Sequence, residues 1–573
     1  MKYVPGHGSI GAQLMLIGEA PLYGESLPFT GPSGKELDKL LKDANISRSD
    51  LWLTNVFKYE IQPNPKGKKI PSWIRARNAG INVEESLHEL QEEINSIKPN
   101  CILALGSTAL WALTGIKPKS KKKSEDDEGN IKYRAGSLSN FRGSILTGMG
   151  TKVVPTYHPK DLLFGEGGEI KGYWNRFVMI FDFKRALTQS KFPELRLPQR
   201  TLQICHNSFE LAEFYQRYKH LTKVSVDIET GGHCIPICIG LAFNSKHGMT
   251  VPLWNRDGIS SIPDSDLVQI WLILSEILYE KEIIGQNFNY DRDKIKRLGF
   301  IIRKLKSDTM LKAFAINPEL PKSLSFNTSI YTEEPFYKDE GMYEGKISDL
   351  LTGCARDACV TYEIDEAMEP DLIELNQVEF YNNFLMKLPE LYLSIENQGF
   401  RIDEQERDRL LQKYIEWDER LRYELFQLTG TEINVASPKQ VYSLLFDNLK
   451  CPVRNGTGEE ELTSLLNLQS FVDKDKRKIV ELILEDRRVR RSISSNIIVL
   501  PDYDGRIRTT YFLCLETGRT STGQQEPPIR PLIEVIDENG KKKNRALGTP
   551  FQTMTKHGDI GAEVRAMYVP DEI

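Results

Sequence analysis

Acidic residues recur in the middle third of this chain in settings where an isolated charge is expensive. Asp227 and Glu229, in VSVDIET, alternate along an apolar strand pattern and therefore point to the same face. Burying two carboxylates at the centre of a strand is costly without a cation. A further carboxylate, Asp291, follows IIGQNFNY, where an apolar strand ends in a Gly turn and a helix begins. Asp357, in CARDACVTYEI, falls on a helix. Alone, each has an ordinary explanation, since an Asp that caps a helix is common. Together they match the needs of Mg²⁺, which takes oxygen ligands and is held by a few carboxylates plus a substrate phosphate.

A second constellation lies nearer the N-terminus, in the motifs GEAP (18–21), LPFTG (27–31), LTNV (53–56), LGSTA (105–109) and TYHP (156–159). They place a carboxylate, an aromatic ring, an amide and an imidazole at the ends of successive predicted strands: Glu19 (or Glu25), Phe29, Asn55 and His158. Such a set suits a pocket for a flat polar heterocycle. A base taken out of a duplex needs a ring to stack on, an amide to read its edge and a group to stabilise the departing anion. Farther along, DRRVRR (486–491) sets Arg487, Arg488 and Arg491 mostly on one helix face. That face suits phosphate contact or plain solvation equally.

The elements that must position these residues divide the chain into three. With 573 residues it is too long for one hydrophobic core. Residues 1–192 open with the apolar runs Leu14–Ile17 and Cys101–Leu105, each ending in a Gly turn before a helical pattern, which predicts an α/β sheet with ligands at the strand ends. The blocky charge run Lys117–Glu128 reads as a solvated loop, and the Pro-containing stretch Phe192–Pro198 as a linker. Residues 201–370 combine strands near Val224–Ile228 and Ile235–Phe243 with a helical pattern at Leu267, Ile270, Leu274 and Leu278. Residues 371–573 are mostly helical. The fold class is therefore α/β and multidomain.

Apolar content of 40% and charged content of 27% fit a globular chain. No apolar run approaches the ~20 residues needed to span a bilayer and no signal peptide pattern opens the chain, so a cytoplasmic protein without membrane partners is expected. The eight cysteines form no C-x-x-C pair and read as reduced thiols. A net charge of −5 argues against a uniformly basic DNA-coating protein but allows local basic grooves.

The carboxylate series D-I-E-T, N-F-N-Y-D, S-D-T-M-L at Asp308 and R-D-A-C-V-T resembles the proofreading 3′→5′ exonuclease domain of family A, DNA polymerase I-like, enzymes, which has a ribonuclease H-like fold. The resemblance implies that Asp227, Glu229 and Asp357 hold one Mg²⁺ or Mn²⁺, that Asp227 and Asp291 serve a second, and that Asn287 lies on the path of a single-stranded 3′ end. The family carries a water-orienting Tyr four residues before the last Asp; Gly353 stands there, which implies slower hydrolysis.

QGFRID (398–403), INVASPKQVYSLLF (433–446), ETGRTSTG (516–523), FQTM (551–554) and EVRAMYVPDE (563–572) resemble the thumb and early palm of the same family. This implies that Arg519 and Gln552 approach the primer-template minor groove and that Arg565 lies near the nucleotide end of the palm. In that family the first catalytic palm Asp follows the V-P-D-E stretch. The chain stops at Ile573, so an incomplete palm, no polymerisation by this chain alone and a second polypeptide completing it are the corresponding expectations.

The N-terminal motifs resemble the uracil-DNA glycosylase superfamily, especially members that carry an iron-sulfur cluster. The implied roles are Phe29 as stacking ring, Asn55 as reader of the base edge, His158 as leaving-group stabiliser and Glu19 or Glu25 as water-activating carboxylate. Tyr59 stands where relatives have a cluster Cys, and no Cys precedes Cys101, so no cluster is expected and Cys101 is assigned to the core. The leading reading is a bacteriophage-type replicative DNA polymerase with a proofreading exonuclease and a glycosylase-like domain, with DNA as partner. A repair enzyme joining base excision to end trimming and a non-catalytic DNA-binding scaffold are the alternatives.

Overall fold

The computed structural model describes residues 2–63, 70–116, 138–163, 174–231, 234–255, 258–260, 262–338, 346–452, 455–525, 529–536, 542–554 and 558–571. The charge run Lys117–Glu128 lies outside them. Two compact units form, one from Met1–Gly231 with Ile235–Lys387 and one from Leu388–Ile573. The first contains two six-stranded sheets, which define two lobes.

The first lobe's strands are β1 (His7–Gly8), β2 (Leu14–Gly18), β3 (Leu51–Asn55), β4 (Cys101–Leu105), β5 (Leu146–Gly148) and β6 (Thr151–Thr156). Their order is β1-β3-β2-β4-β6-β5, with β3, β2, β4 and β6 parallel. The apolar runs in β2 and β4 are continuous because both faces are covered. Leu14, Leu16, Cys101 and Leu103 pack against α1 (Pro32–Asp43), whereas Met15, Ile17, Ile102 and Ala104 pack against α2 (Ser72–Asn78), α3 (Val83–Ile97) and α4 (Ser107–Thr114). Helix α5 (Asn175–Ser190) adds Met179, Phe183 and Ala186 to the first face. Cys101 is fully buried, in the core position expected of it. The stretch after α5 is stapled to the sheet: the buried Lys152 ammonium donates to the carbonyls of Gln189, Phe192 and Glu194.

The second lobe orders its strands β12-β11-β8-β9-β10-β7. They are β7 (Thr201–Ile204), β8 (Lys223–Thr230), β9 (Pro236–Asn244), β10 (His247–Pro252), β11 (Glu282–Gly285) and β12 (Lys304–Asp308). On one face Val224, Val226 and Ile228 pack with residues of α6 (Ser208–Tyr218) and α7 (Asp264–Glu280). Helices α8 (Asn289–Arg297), α9 (Thr309–Ile316) and α10 (Leu324–Tyr331) follow. The opposite face carries the 28-residue helix α11 (Ile347–Glu374). A Cβ at Gly240 would lie 2.7 Å from the Cys354 carbonyl oxygen, and one at Gly248 would lie 2.5 Å from that of Ala355. Helix and sheet therefore approach more closely than a side chain permits. The boundary expected at residue 370 falls inside this helix, and the unit continues to Lys387.

The second unit is mainly helical. Asp403 caps α12 (Glu404–Thr429) by accepting from Glu406 N, and Gly430, at φ 69°, ends it. Leu410, Tyr414, Leu421 and Leu425 of α12 share one core with Ile479, Val480, Ile483 and Val489 of α13 (Lys474–Ser492). The strand Phe400–Ile402 pairs antiparallel with Arg506–Ile507 and Tyr568–Val569. No helix among the described residues is long and apolar enough to cross a membrane.

Candidate functional site

Strand β8 delivers the first two carboxylates. Its odd-numbered side chains leave the apolar face to Val224, Val226 and Ile228, so Asp227 and Glu229 turn together toward α11. Asp357 comes from α11, and ligand oxygens of Asp227, Glu229 and Asp357 lie within 4.8 Å of one another. Asp227 pairs with Gly240 across the β8–β9 ladder, so the missing side chain that admits α11 sits directly beside the cluster. Burial, reinforced by Asp357, Asp291 and Glu229, pushes the Asp227 carboxyl well above its usual range. Glu229 is raised to about 7 by burial and by Asp357. Asp227 Oδ2 is buried without a hydrogen-bond partner. Three converging carboxylates with one orphaned oxygen fit a hard divalent cation.

Asp291 sits beside this trio. Its Oδ1 accepts from Ile228 N at 3.1 Å, which ties the start of α8 to the backbone between Asp227 and Glu229. Asp308 is the organiser of the neighbouring turn: it accepts from Asn287 N at 3.1 Å, Phe288 N at 2.8 Å and Met310 N at 2.9 Å. These bonds hold Asn287 in a left-handed conformation, φ 52°, exposed at the end of β11. Gly353 is buried one turn before Asp357. The aromatic hydroxyl that does reach Asp357 is that of Tyr337, which donates to Oδ1, while Lys338 Nζ lies 2.5 Å from Oδ2. Sequence reading missed both, because Tyr337 and Lys338 belong to no motif and lie outside helix and strand.

In the first lobe, the expected residues gather at the carboxyl ends of the parallel strands. Phe29 is 5% exposed and holds φ 57°, a conformation that costs a bulky residue about 1–3 kcal/mol. Its loop is fixed from two sides. Glu25 accepts from Leu22 N, Thr30 N and Gly31 N, and Arg48 donates to the carbonyls of Pro28 and Phe29. Glu25 is thus a loop organiser. A Cβ at Gly18 would meet both Phe29 Cζ, at 2.5 Å, and Asn55 Oδ1, at 2.6 Å, so glycine there lets ring and amide converge. Asn55 is buried, and its carbonyl accepts from the buried Lys58, itself paired with Glu93 at 2.5 Å.

The His158 ring centroid lies 6.2 Å from that of Phe29. His158 Nδ1 accepts from Lys160 N at 3.1 Å, which assigns the ring proton to Nε2. Burial and the nearby Lys160 charge depress its pKa to about 3, so the ring is neutral at ordinary pH. Glu19 accepts from Arg75 at 2.5 Å and from Thr108 Oγ1 at 3.0 Å, with Lys160 Nζ at 3.8 Å. Burial opposes its ionisation, but Lys160 and Arg75 outweigh that and hold its pKa below the usual value.

Residues 5–178 match the Uracil DNA glycosylase superfamily. The type-4 uracil-DNA glycosylase of Thermotoga maritima is 28% identical over 187 residues, covering 32% of this chain and 80% of that protein. A second likeness is to DNA polymerases. DNA polymerase I of Borreliella burgdorferi is 22% identical over 353 residues, 59% of this chain and 38% of that protein. DNA polymerase I of Caldicellulosiruptor bescii is 32% identical over 178 residues, 29% of this chain and 20% of that protein. Among solved structures, the POL domain of Pol1 from M. smegmatis, in complex with DNA primer-template and dNTP, aligns with a TM-score of 0.50 at 16% identity, covering 65% of this chain and 59% of that one. The chain therefore joins a uracil-DNA glycosylase-like region to a DNA polymerase I-like region, and it spans 38% and 20% of the length of the two DNA polymerase I proteins.

In the second unit the structure draws Gln552 to the TGRTSTG loop. Its side-chain amide donates to Thr520 Oγ1 at 2.9 Å, and Arg519 is exposed on the same loop. Arg565 is exposed on the helix Gly558–Ala566. Arg491 is likewise exposed, 3.8 Å from Glu459. Arg487 departs from the phosphate-facing expectation: its guanidinium donates to the carbonyls of Val435 and Thr457, closing chain segments that would otherwise leave those oxygens unpaired.

Proposed function

We propose that this chain is part of a DNA-directed DNA polymerase of family A, and that Asp227, Glu229, Asp357 and the adjoining Asp291 form its two-metal 3′→5′ proofreading exonuclease site. Viral DNA replication is the finer setting expected from the sequence. The observation that carries the reading is the trio of converging carboxylates with the orphaned Asp227 Oδ2. Divalent ions held there supply the positive charge that polarises water and stabilises a leaving 3′ oxygen. The protein's own part is to hold the ligands rigidly, through the close α11–β9 contact and the Asp291–Ile228 tie, and to leave Asn287 exposed where a strand end would pass. The test is digestion of 5′-labelled single-stranded DNA with Mg²⁺ or Mn²⁺. Stepwise loss of 3′ nucleotides by the wild type but not by Asp227→Asn supports the reading, and intact substrate with both proteins defeats it.

For the first lobe, the convergence of Phe29, Asn55 and a neutral His158 favours recognition of a base displaced from DNA. Phe29 supplies a stacking face, the Asn55 amide pairs with the base edge, and the Nε2 proton of His158 can be donated to an oxygen that gains charge as the glycosidic bond breaks. Glu19, kept ionised by Arg75 and Lys160, is the carboxylate available to orient water. Release of uracil from a uracil-containing oligonucleotide, lost in His158→Ala, supports cleavage. Binding without release points to a base-sensing module.

A further inference from the structure

A strap, residues 329–338, runs from the end of α10 to the carboxylate cluster, and the first lobe holds its near end. Arg185 donates to the carbonyls of Ser329 at 2.6 Å, Ile330 at 3.2 Å and Thr332 at 2.8 Å. Arg142, 1% exposed and paired with Asp182, donates to Ser329 Oγ at 2.8 Å. Phe336 N donates to Ser144 Oγ at 3.0 Å, and its ring meets Phe141 edge-on at 4.9 Å. Contact of Ser329, Ile330, Thr332 and Phe336 with another lobe is more than a connecting segment requires. Their effect is to fix where the strap places Tyr337 and Lys338, which is against Asp357.

Both oxygens of Asp357 are thereby engaged, one by the Tyr337 hydroxyl and the other by the Lys338 ammonium. Lys338 also acts as a positive charge on Asp227 and Glu229. A divalent cation coordinated by Asp357 would meet that ammonium within a few ångströms, in a site where burial weakens screening. The two cations therefore compete for the same oxygen.

We propose that Lys338 is a built-in counter-cation of the carboxylate cluster, which competes with divalent metal at Asp357 and must withdraw for metal to enter. The inference rests on the reading of the cluster as a metal site. The strap then sets the metal affinity of the second lobe from contacts made in the first.

Calorimetric titration of the full chain with Mn²⁺, without DNA, tests this in wild type, Lys338→Met, Lys338→Arg and Asp357→Asn. Lys338→Met should bind about tenfold more tightly or better, since its loss leaves a buried carboxylate uncompensated until metal arrives. Lys338→Arg, which keeps the charge, should stay near wild type, and Asp357→Asn should lose the site. A second measurement needs no variant: amine acylation of wild type, read at Lys338 by mass spectrometry, should increase when Mn²⁺ is added. Unchanged or weaker Mn²⁺ binding in Lys338→Met, or acylation indifferent to Mn²⁺ that does bind, overturns the proposal while leaving the metal site standing. Absence of Mn²⁺ binding in wild type and Lys338→Met alike overturns both.

Discussion

Gly240 stands opposite Asp227 on the β8–β9 ladder, and helix α11 rests on it with the Cys354 carbonyl oxygen 2.7 Å from where a Cβ would be. One absent methyl group thus lets Asp357 reach the carboxylates of the strand. Gly240→Ala should cost about 1–3 kcal/mol, the usual penalty for overpacking a close contact. It should also weaken the proposed metal-dependent nuclease activity far more than Gly→Ala at Gly456, where φ is not positive and a Cβ would meet nothing nearer than 3.5 Å. Chemical denaturation and single-strand digestion of the two variants, side by side, check both parts.

Asp227→Asn should separate stability from activity. Asp227 is half-buried beside Asp357, Asp291 and Glu229, and its buried Oδ2 has no partner, so without metal the carboxylate is repelled and that oxygen is unsolvated. An amide removes the charge while keeping the shape. In EDTA at pH 8 the variant should melt higher than wild type, by an amount corresponding to about 1–2 kcal/mol, while losing nuclease activity. A lower melting temperature in EDTA would mean that the cluster is not strained.

Much of this site is readable from local pattern, and the remainder is not, for physical reasons. The alternation in VSVDIET is enough to put Asp227 and Glu229 on one face, because side-chain direction in a strand follows period two. The strand-end motifs likewise bring Phe29, Asn55 and His158 together, since parallel strands share their carboxyl ends. Lys338 could not be found this way. Its partner is 19 residues distant in sequence, and the contact is set by Arg185 and Ser144 in another lobe. Arg487 reads as surface charge, yet it serves carbonyls that only the folded second unit brings near. Asp291 shows the intermediate case. Its position at a helix start is legible, but its bond to Ile228 N depends on how β11 and β8 align.

His158 should remain neutral across the whole range in which a glycosylase would be assayed. Its pKa, about 3, is depressed from the ordinary 6.5 by burial and Lys160. The unfolded chain takes up a proton below pH 6.5 that the folded His158 refuses until about 3, so its contribution to stability is complete above 6.5 and is lost progressively as pH falls through that window. The His158 ring resonances should not titrate between pH 5 and 8 by NMR. The wild type should lose more stability than His158→Asn on acidification from pH 6.5 toward pH 4. A mid-range inflection at His158 would contradict the neutral donor role.

Lys58 is the positioning residue with the most to lose. Its ammonium is 2% exposed, bonded to the Asn55 carbonyl at 2.9 Å and to Glu93 at 2.5 Å; Glu93 in turn accepts from Trp52 Nε1 at 2.7 Å and Thr54 Oγ1 at 3.0 Å. Lys58→Met leaves a mostly buried carboxylate without its counter-charge and frees the end of β3 that presents Asn55. Loss of one partner from such a pair costs about 3–5 kcal/mol, whereas replacing both partners is far milder. Urea unfolding should therefore place the double variant Lys58→Met/Glu93→Gln above Lys58→Met alone. Asn55 keeps its side chain in both proteins, so affinity for a uracil-containing oligonucleotide reports its placement separately. If Lys58 acts through the Asn55 carbonyl, affinity stays reduced in the double variant even where stability returns. Recovery of both together would mean that Lys58 matters only to the fold.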